Sequence, residues 1–282
     1  MYITKANGQR EPFDEHKFLN SVRRAHIAKP LRHRVLEEVQ SKLYEGIPTN
    51  EIYTTVNTYL STNAPHGSCM YNLKQAIMDL GPSGYPFERY IGKLLEWQGY
   101  TTQVSTIIRG KCVSHEIDVL AEKAHEHYIV ECKFHNERGL RSDVKVALYV
   151  YARYLDVLNS WLAKEPVQER DKLHQAWLIT NTKFSSDAIQ YGQCVGMKMV
   201  GWNYPETGHL QDLIEEAGLH PITCLYTLSN SQKQMLLQKD IVLAAQLEKD
   251  RFAIAELHLA RNEMDRLYEE LEALRTCRSA LE

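Results

Sequence analysis

The chain has 282 residues, 44% of them hydrophobic, enough for two compact domains with buried cores. Lys and Arg (33) nearly balance Asp and Glu (36), and the formal net charge of −3 excludes a chain-wide basic field, so any nucleic-acid surface is local. The six cysteines, Cys69, Cys112, Cys132, Cys194, Cys224 and Cys277, form no C-x-x-C pair and no zinc-spaced cluster with His, and they read as reduced thiols.

The opening "MYITKANGQREPFDEHK" lacks the apolar core of a signal peptide, and no apolar run reaches membrane-spanning length. The expectation is a soluble, cytoplasmic protein with no membrane partner. A short strand "YITK" and a turn "ANGQ" lead into three helical patterns, "DEHKFLNSVRRAH", "RHRVLEEVQSKLYEG" and "TNEIYTTVNTYLSTNA". Asp14 and Thr49 are placed to cap the first and third, and Gly46 with Pro48 separates the last two. The Gly- and Pro-rich "GPSGYP" over Gly81–Pro86 marks a boundary. We therefore expect domains at 1–82 and 83–205, and a helical C-terminal region at 206–282.

The second unit opens with "FERYIGKLLEWQGY", a helix with Phe87, Tyr90, Ile91, Leu94 and Leu95 on one face. "EIDVLAE" and "HYIVECKF" predict two strands, joined as a hairpin through the polar "EKAHEH". A helix "SDVKVALYVYARYLDVLNSWLAK", a strand "AWLITNTKF", a helix "SSDAIQYGQCVG" and a strand "MKMVGWN" complete an α/β alternation. Beyond these, short helices lead into a long one from about Asp240 to Thr276. Its Ile254, Leu257, Met264, Tyr268 and Leu271 fit a coiled-coil seam that Asp250 and Arg261 interrupt. Such a helix predicts either a homo-oligomer or packing back onto its own domain.

On the second hairpin strand Glu131 and Lys133 are two apart and share a face, which Asp118 on the neighbouring strand can join. Two carboxylates and an ammonium in a half-buried position need compensation. A divalent cation supplies it: Asp118 and Glu131 offer hard oxygen donors, with the backbone carbonyl of Cys132 as a further ligand. Lys133 is placed to orient or deprotonate a water, or to stabilise charge building on a phosphate. The alternative is a strand edge whose polar side chains face water.

"EIDV" followed by "YIVECKF" resembles the catalytic core of the PD-(D/E)xK nuclease superfamily, and more closely its Mrr-like and archaeal Holliday-junction-resolvase-like restriction endonuclease branch. The resemblance runs from about Tyr85 to Asn203. It implies an α/β nuclease core, a restriction-endonuclease-like mixed sheet flanked by helices, hydrolysing phosphodiester bonds of nucleic acid, with DNA as the expected partner. It further implies Asp118 and Glu131 as ligands of Mg²⁺ or Mn²⁺, Lys133 as the catalytic lysine and Glu88 as an acid contributed by the first helix. Glu88 also reads as an ordinary first-turn helix acid. His115 and His135 fall at the edge of such a site, and Lys145 and Arg153 fall on the following helix, facing substrate backbone. That helix commonly carries a glutamine in this branch, and here it has none. The implied role is defence against phage or DNA repair; the alternative is a catalytically silent, nucleotide-responsive regulator that keeps the nuclease fold.

"TKANGQREPFDEHK" resembles the start of the ATP-cone domain, the mainly helical, nucleotide-sensing unit found at the head of ribonucleotide reductases. Lys5, Gly8, Glu11, Phe13, Asp14 and Lys17 match its pattern. A Gly turn and a helix N-terminus supply backbone N–H groups, and lysines neutralise a triphosphate. "NLKQAIMDL" is similar to the last helix of the cone, from which Lys74 would reach phosphate. The implied regulatory ligand is ATP or dATP. The family pairs two basic residues where this chain has Lys5 and Ala6, so a cone kept only for docking is the alternative. The region after His220 resembles a helix-hairpin-helix module whose hairpin "LQKDIV" lacks the usual glycines; a structural or oligomerising role is expected there.

Overall fold

The structure is a computed structural model and describes residues 1–5, 8–25, 27–124, 126–164 and 174–279. In the first unit β1 (Tyr2–Thr4) pairs antiparallel with β2 (Arg10–Pro12) and parallel with β3 (Ile47–Pro48). Both partners escape periodicity analysis because they are two or three residues long. Two helices, α1 (Glu15–Arg24) and α2 (Lys29–Lys42), lie between β2 and β3 in the chain, and α3 (Thr49–Asn63) and α4 (Pro65–Met78) follow β3. Asp14 caps α1 by accepting from the Lys17 N–H at 3.0 Å, as its type predicts. Thr49 does not cap α3: it is the first helical residue, Pro48 stands at the cap, and no side chain bonds there.

The second unit begins with α5 (Tyr85–Trp97) and a five-stranded mixed sheet. Along the chain come β4 (Thr101–Arg109), β5 (Ser114–Lys123), β6 (Glu126–Lys133), β7 (Arg141–Ser142), α6 (Val144–Lys164), β8 (His174–Thr180), β9 (Lys183–Phe184), α7 (Ser186–Cys194) and β10 (Lys198–Val200). The sheet order is β10-β8-β6-β5-β4, with β4, β5 and β6 antiparallel and β8 and β10 parallel to β6. On one face α5 buries Phe87, Ile91 and Leu94 with Val119, Val130 and Ile179. On the other, α6 and α7 bury Ala147, Val150, Val157 and Ala188 with Ile129 and Leu178. This is the α/β arrangement that the alternation predicts, with the mixed sheet flanked by helices that the resemblance implies. The edge strand β4 lies outside the predicted elements, because its "TTQVSTIIR" is half polar and leaves Ile107 76% exposed.

The third region holds α8 (Leu210–Ala217), α9 (Asn230–Gln238), α10 (Ala244–Lys249), α11 (Arg251–Glu256) and α12 (Arg261–Ser279). The single long helix expected from Asp240 is therefore three helices. Asp250, taken as a break in a heptad seam, ends α10 and caps α11 by accepting from the Ala253 N–H at 3.0 Å. His258, at φ 49°, turns the chain before α12. Ile254, Leu257 and Leu271 are buried within the chain and α12 packs on α4 and α10, so most of the seam is already covered, Met264 being half-buried and Tyr268 49% exposed. Glu270, 3% exposed, accepts from the Tyr226 and Thr227 N–H groups at 2.9 and 3.0 Å and ties α12 down. The same region joins the other two: the Tyr90 hydroxyl donates to the Leu219 carbonyl at 2.7 Å, and the Thr223 hydroxyl to the Ala76 carbonyl at 2.5 Å. One apolar core runs from Ile3 to Leu274. No helix is long and apolar enough to cross a membrane among the described residues.

Candidate active site

The site lies where the central hairpin opens. Strands β5 and β6 pair from Lys123 and Glu126 down to Val119 and Val130, and their ladder stops there. The next residues on each are Asp118 and Glu131. Asp118 replaces the missing ladder with its side chain, accepting from the Cys132 N–H at 2.7 Å. Ile117 and Val119 are two apart on one strand, yet they pack on opposite faces of the sheet, so β5 turns over at Asp118. Across from it on β4, Ser105 takes φ 51°, a left-handed conformation costly for a residue with a Cβ. Its hydroxyl reaches Glu88 of α5 at 3.3 Å.

Three carboxylates from three elements, Glu88, Asp118 and Glu131, thus lie near enough in a partly buried place for their charges to act on one another. Burial raises the Glu88 pKa to about 7, with the Asp118 charge adding to it. Burial likewise raises Glu131 to about 7, again with Asp118 adding, while Arg153 opposes the shift. Asp118 is also raised by burial, against the Cys132 amide bond and the Arg153 charge. Acids that repel one another out of water, with oxygen donors and little else, are a donor set that fits a hard divalent cation. Among the described residues no three His, Cys, Asp or Glu side chains already close on one point as a cage. Arg153 of α6, 11% exposed, donates from Nη1 to Glu131 Oε2 at 2.5 Å and supplies a positive charge there. Lys133 ends β6 on the same face, exposed.

A cleft of about 270 Å³ opens beside the acids, lined by Ser114, His115, Glu116, Asp118, Tyr149 and Arg153. His115 Nε2 is 2.8 Å from Asp156 Oδ2. Asp156 also accepts from the Cys112 and Val113 N–H groups at 2.8 and 3.2 Å, so one carboxylate of α6 holds both the histidine and the β4–β5 turn. The His115 bond above all keeps the Asp156 pKa well below the usual carboxylate range. His135 is close to the site but turned away from the cleft: Nε2 meets the Ser142 hydroxyl at 3.0 Å, and its N–H donates to Asn181 Oδ1 at 2.9 Å. Burial, then Lys133 and Lys74, lower its pKa. Lys145 is exposed one helical turn before Tyr149. Asp156, Asn181 and Ser105 belong to the site's frame, and no sequence motif announces them.

In the first unit Lys5, Gly8, Glu11 and Lys17 come together. Gly8, at φ 80°, closes a turn by donating to the Lys5 carbonyl at 2.9 Å. Lys5 and Lys17 flank Glu11 at 2.5 and 3.2 Å, and their bonds lower its pKa, Lys5 first. Ala6, where the family has its second basic residue, lies outside the described residues. Lys74 is elsewhere. Its ammonium donates to the Asn181 carbonyl and lies 4.4 Å from the Trp202 ring, in the second unit. Burial, then Arg138 and Lys183, push its pKa down to about 7. The ammonium of the half-buried Lys74 thus links α4 to the second unit and does not join Lys5, Gly8, Glu11 and Lys17.

The acid cluster has a measurable cost. Glu88 is raised from 4.5 to about 7 on folding, so the stability it allows is full below about pH 4.5 and is lost as pH rises through about 7. Glu88→Gln without divalent metal should melt a few degrees above wild type at pH 8 and level with it at pH 4.5. Calorimetric scans at the two pH values check this, and an equal offset at both would reject an electrostatic origin.

Three family models match the chain: ATP cone domain over residues 1–68, restriction endonuclease over 82–201, and AF1548-like, C-terminal over 220–275. An uncharacterized protein of Archaeoglobus fulgidus is 44% identical over 135 residues, which are 48% of this chain and 71% of that protein. A solved structure described as a protein of unknown function, AF1548, is 33% identical with a TM-score of 0.52, covering 71% of this chain and 98% of that one.

Proposed function

We propose, because the chain joins an ATP cone domain to a restriction endonuclease domain and belongs to the family of the Archaeoglobus fulgidus protein, that it is a Mg²⁺- or Mn²⁺-dependent endonuclease cutting DNA under the control of a bound nucleotide. The observation that carries the reading is the trio Glu88, Asp118 and Glu131 at the open end of the hairpin, with Lys133 on the same face. Asp118 and Glu131 would hold the cation, with the Cys132 carbonyl beside them and Glu88 behind. Once bound, a divalent ion supplies Lewis acidity to the phosphoryl group and offsets the charge that builds there. Lys133 orients or deprotonates the attacking water, and His115, fixed by Asp156, faces the substrate backbone across the cleft. Lys145, exposed on the same helix as Tyr149, extends the contact along that backbone.

Control by nucleotide rests on Lys5, Lys17 and the Gly8 turn, which offer ammonium and backbone N–H groups to a triphosphate. ATP or dATP should raise the melting temperature by mass action, and Lys5→Ala with Lys17→Ala should remove the shift. A wild-type chain unmoved by millimolar nucleotide would leave the cone a docking unit. An oligomer would need a face other than the α12 seam, and light scattering on the intact chain reads it. Defence against phage is the biological setting in which such a nuclease fits. The deciding experiment incubates the chain with plasmid, linear duplex, single-stranded DNA and RNA, with Mg²⁺ or Mn²⁺, and with or without ATP or dATP. Cleavage of DNA only with metal supports the reading. No cleavage of any substrate supports the silent regulator.

A further inference from the structure

Arg153 has more bonding capacity than its observed partner uses. A guanidinium carries five N–H donors in a rigid plane, and one of its nitrogens is committed to Glu131 Oε2, at 2.5 Å. The group lies 5.2 Å from the Tyr149 ring, which supports its flat face, and it lines the cleft next to Asp118. Burial makes the pairing strong: the two side chains are 11% and 19% exposed. The bond engages Oε2, one of the two oxygens of the carboxylate, and a divalent cation approaching either oxygen meets the guanidinium's positive charge beside it, which opposes its binding. An arginine released into a cleft where a phosphodiester lies has the fork geometry that phosphate oxygens accept.

We propose that Arg153 serves two partners in turn, Glu131 before the cation arrives and the phosphate of bound nucleic acid afterwards, so that metal and substrate each favour the binding of the other. This rests on the metal-dependent reading of the acid trio. Arg153 is then a substrate-binding residue and also a competitor of the metal. These roles predict opposite signs for one substitution, whereas a merely structural arginine would weaken both ligands together.

The test uses the intact chain. Calorimetry measures Ca²⁺ binding alone, and fluorescence anisotropy measures a short labelled DNA duplex with and without Ca²⁺. Arg153→Met keeps the stem and drops the charge; it should bind Ca²⁺ about tenfold more tightly and duplex about tenfold more weakly, and Ca²⁺ should lose most of its effect on duplex affinity. Unchanged or weaker Ca²⁺ binding in this variant, beside a Glu131→Gln variant that has lost Ca²⁺, overturns the role of Arg153 alone. A Glu131→Gln variant that binds Ca²⁺ like wild type overturns the metal reading and this proposal with it. If Arg153→Met melts early, Arg153→Lys serves instead: its charge still competes, so Ca²⁺ affinity should stay at the wild-type level while duplex binding falls for want of the fork. Wild-type duplex affinity in the lysine variant contradicts the proposal.

Discussion

Asp118→Asn and Glu131→Gln should each lose divalent-dependent cleavage by a factor of about a thousand or more while remaining folded. The first substitution isolates charge from structure, because an asparagine oxygen can still accept from the Cys132 N–H that Asp118 now binds at 2.7 Å. The hairpin fork therefore survives without its anionic group. Glu131→Gln keeps an oxygen toward Arg153 and removes the carboxylate whose pKa burial has raised to about 7. Asp118→Asn relieves repulsion within the trio, so its melting in EDTA should hold at the wild-type temperature or rise, whereas Glu131→Gln leaves the buried Arg153 without its carboxylate and should melt lower while still folding. Cleavage assays with Mg²⁺ and with EDTA, beside melting curves, read both halves. Full cleavage by either variant would remove the trio from the chemistry.

Lys74→Met should abolish the response of cleavage to nucleotide while sparing nucleotide binding. Lys74 leaves α4 and gives its ammonium to the carbonyl of Asn181, against the ring of Trp202. Asn181 is fully buried, and its side chain holds His135 from both sides: its Oδ1 accepts from the His135 N–H at 2.9 Å and its Nδ2 donates to the His135 carbonyl at 2.9 Å. His135 follows Lys133 by two residues, and the Lys133 carbonyl accepts from the Thr180 hydroxyl at 2.7 Å. A shift of α4 would thereby reach the end of β6, where Lys133 stands. Methionine fills the space of the lysine stem without the charge. The melting shift with ATP should persist in Lys74→Met, and its cleavage rates with and without ATP should coincide. A wild-type response in the variant sends the coupling elsewhere; a wild-type chain that melts higher with ATP yet cuts at one rate denies the regulation itself.

Some of this protein was decided by neighbours in the chain. Strand alternation puts Glu131 and Lys133 on one face of β6, as Val130 and Cys132 share the other, and the turn at Gly8 follows from the residue type that tolerates φ 80°. The restriction endonuclease match begins at residue 82, within the Gly- and Pro-rich stretch at 81–86. Helices α1, α5 and α7 carry their signals locally, as apolar faces and capping side chains at Asp14 and Ser185. What only the tertiary structure decided depends on residues far apart in the chain. The edge strand β4 is a strand because β5 pairs with it, and the seam of α12 is an internal contact because α4 covers it. The fold alone sets Asn181 and Trp202 against the ammonium of Lys74. The Arg153–Glu131 and His115–Asp156 bonds join a helix to strands on a sheet that must first assemble. Periodicity reports which face a residue occupies; it holds no information on which distant side chain meets it there, because that choice is made by packing and by the free energy of burying charges together.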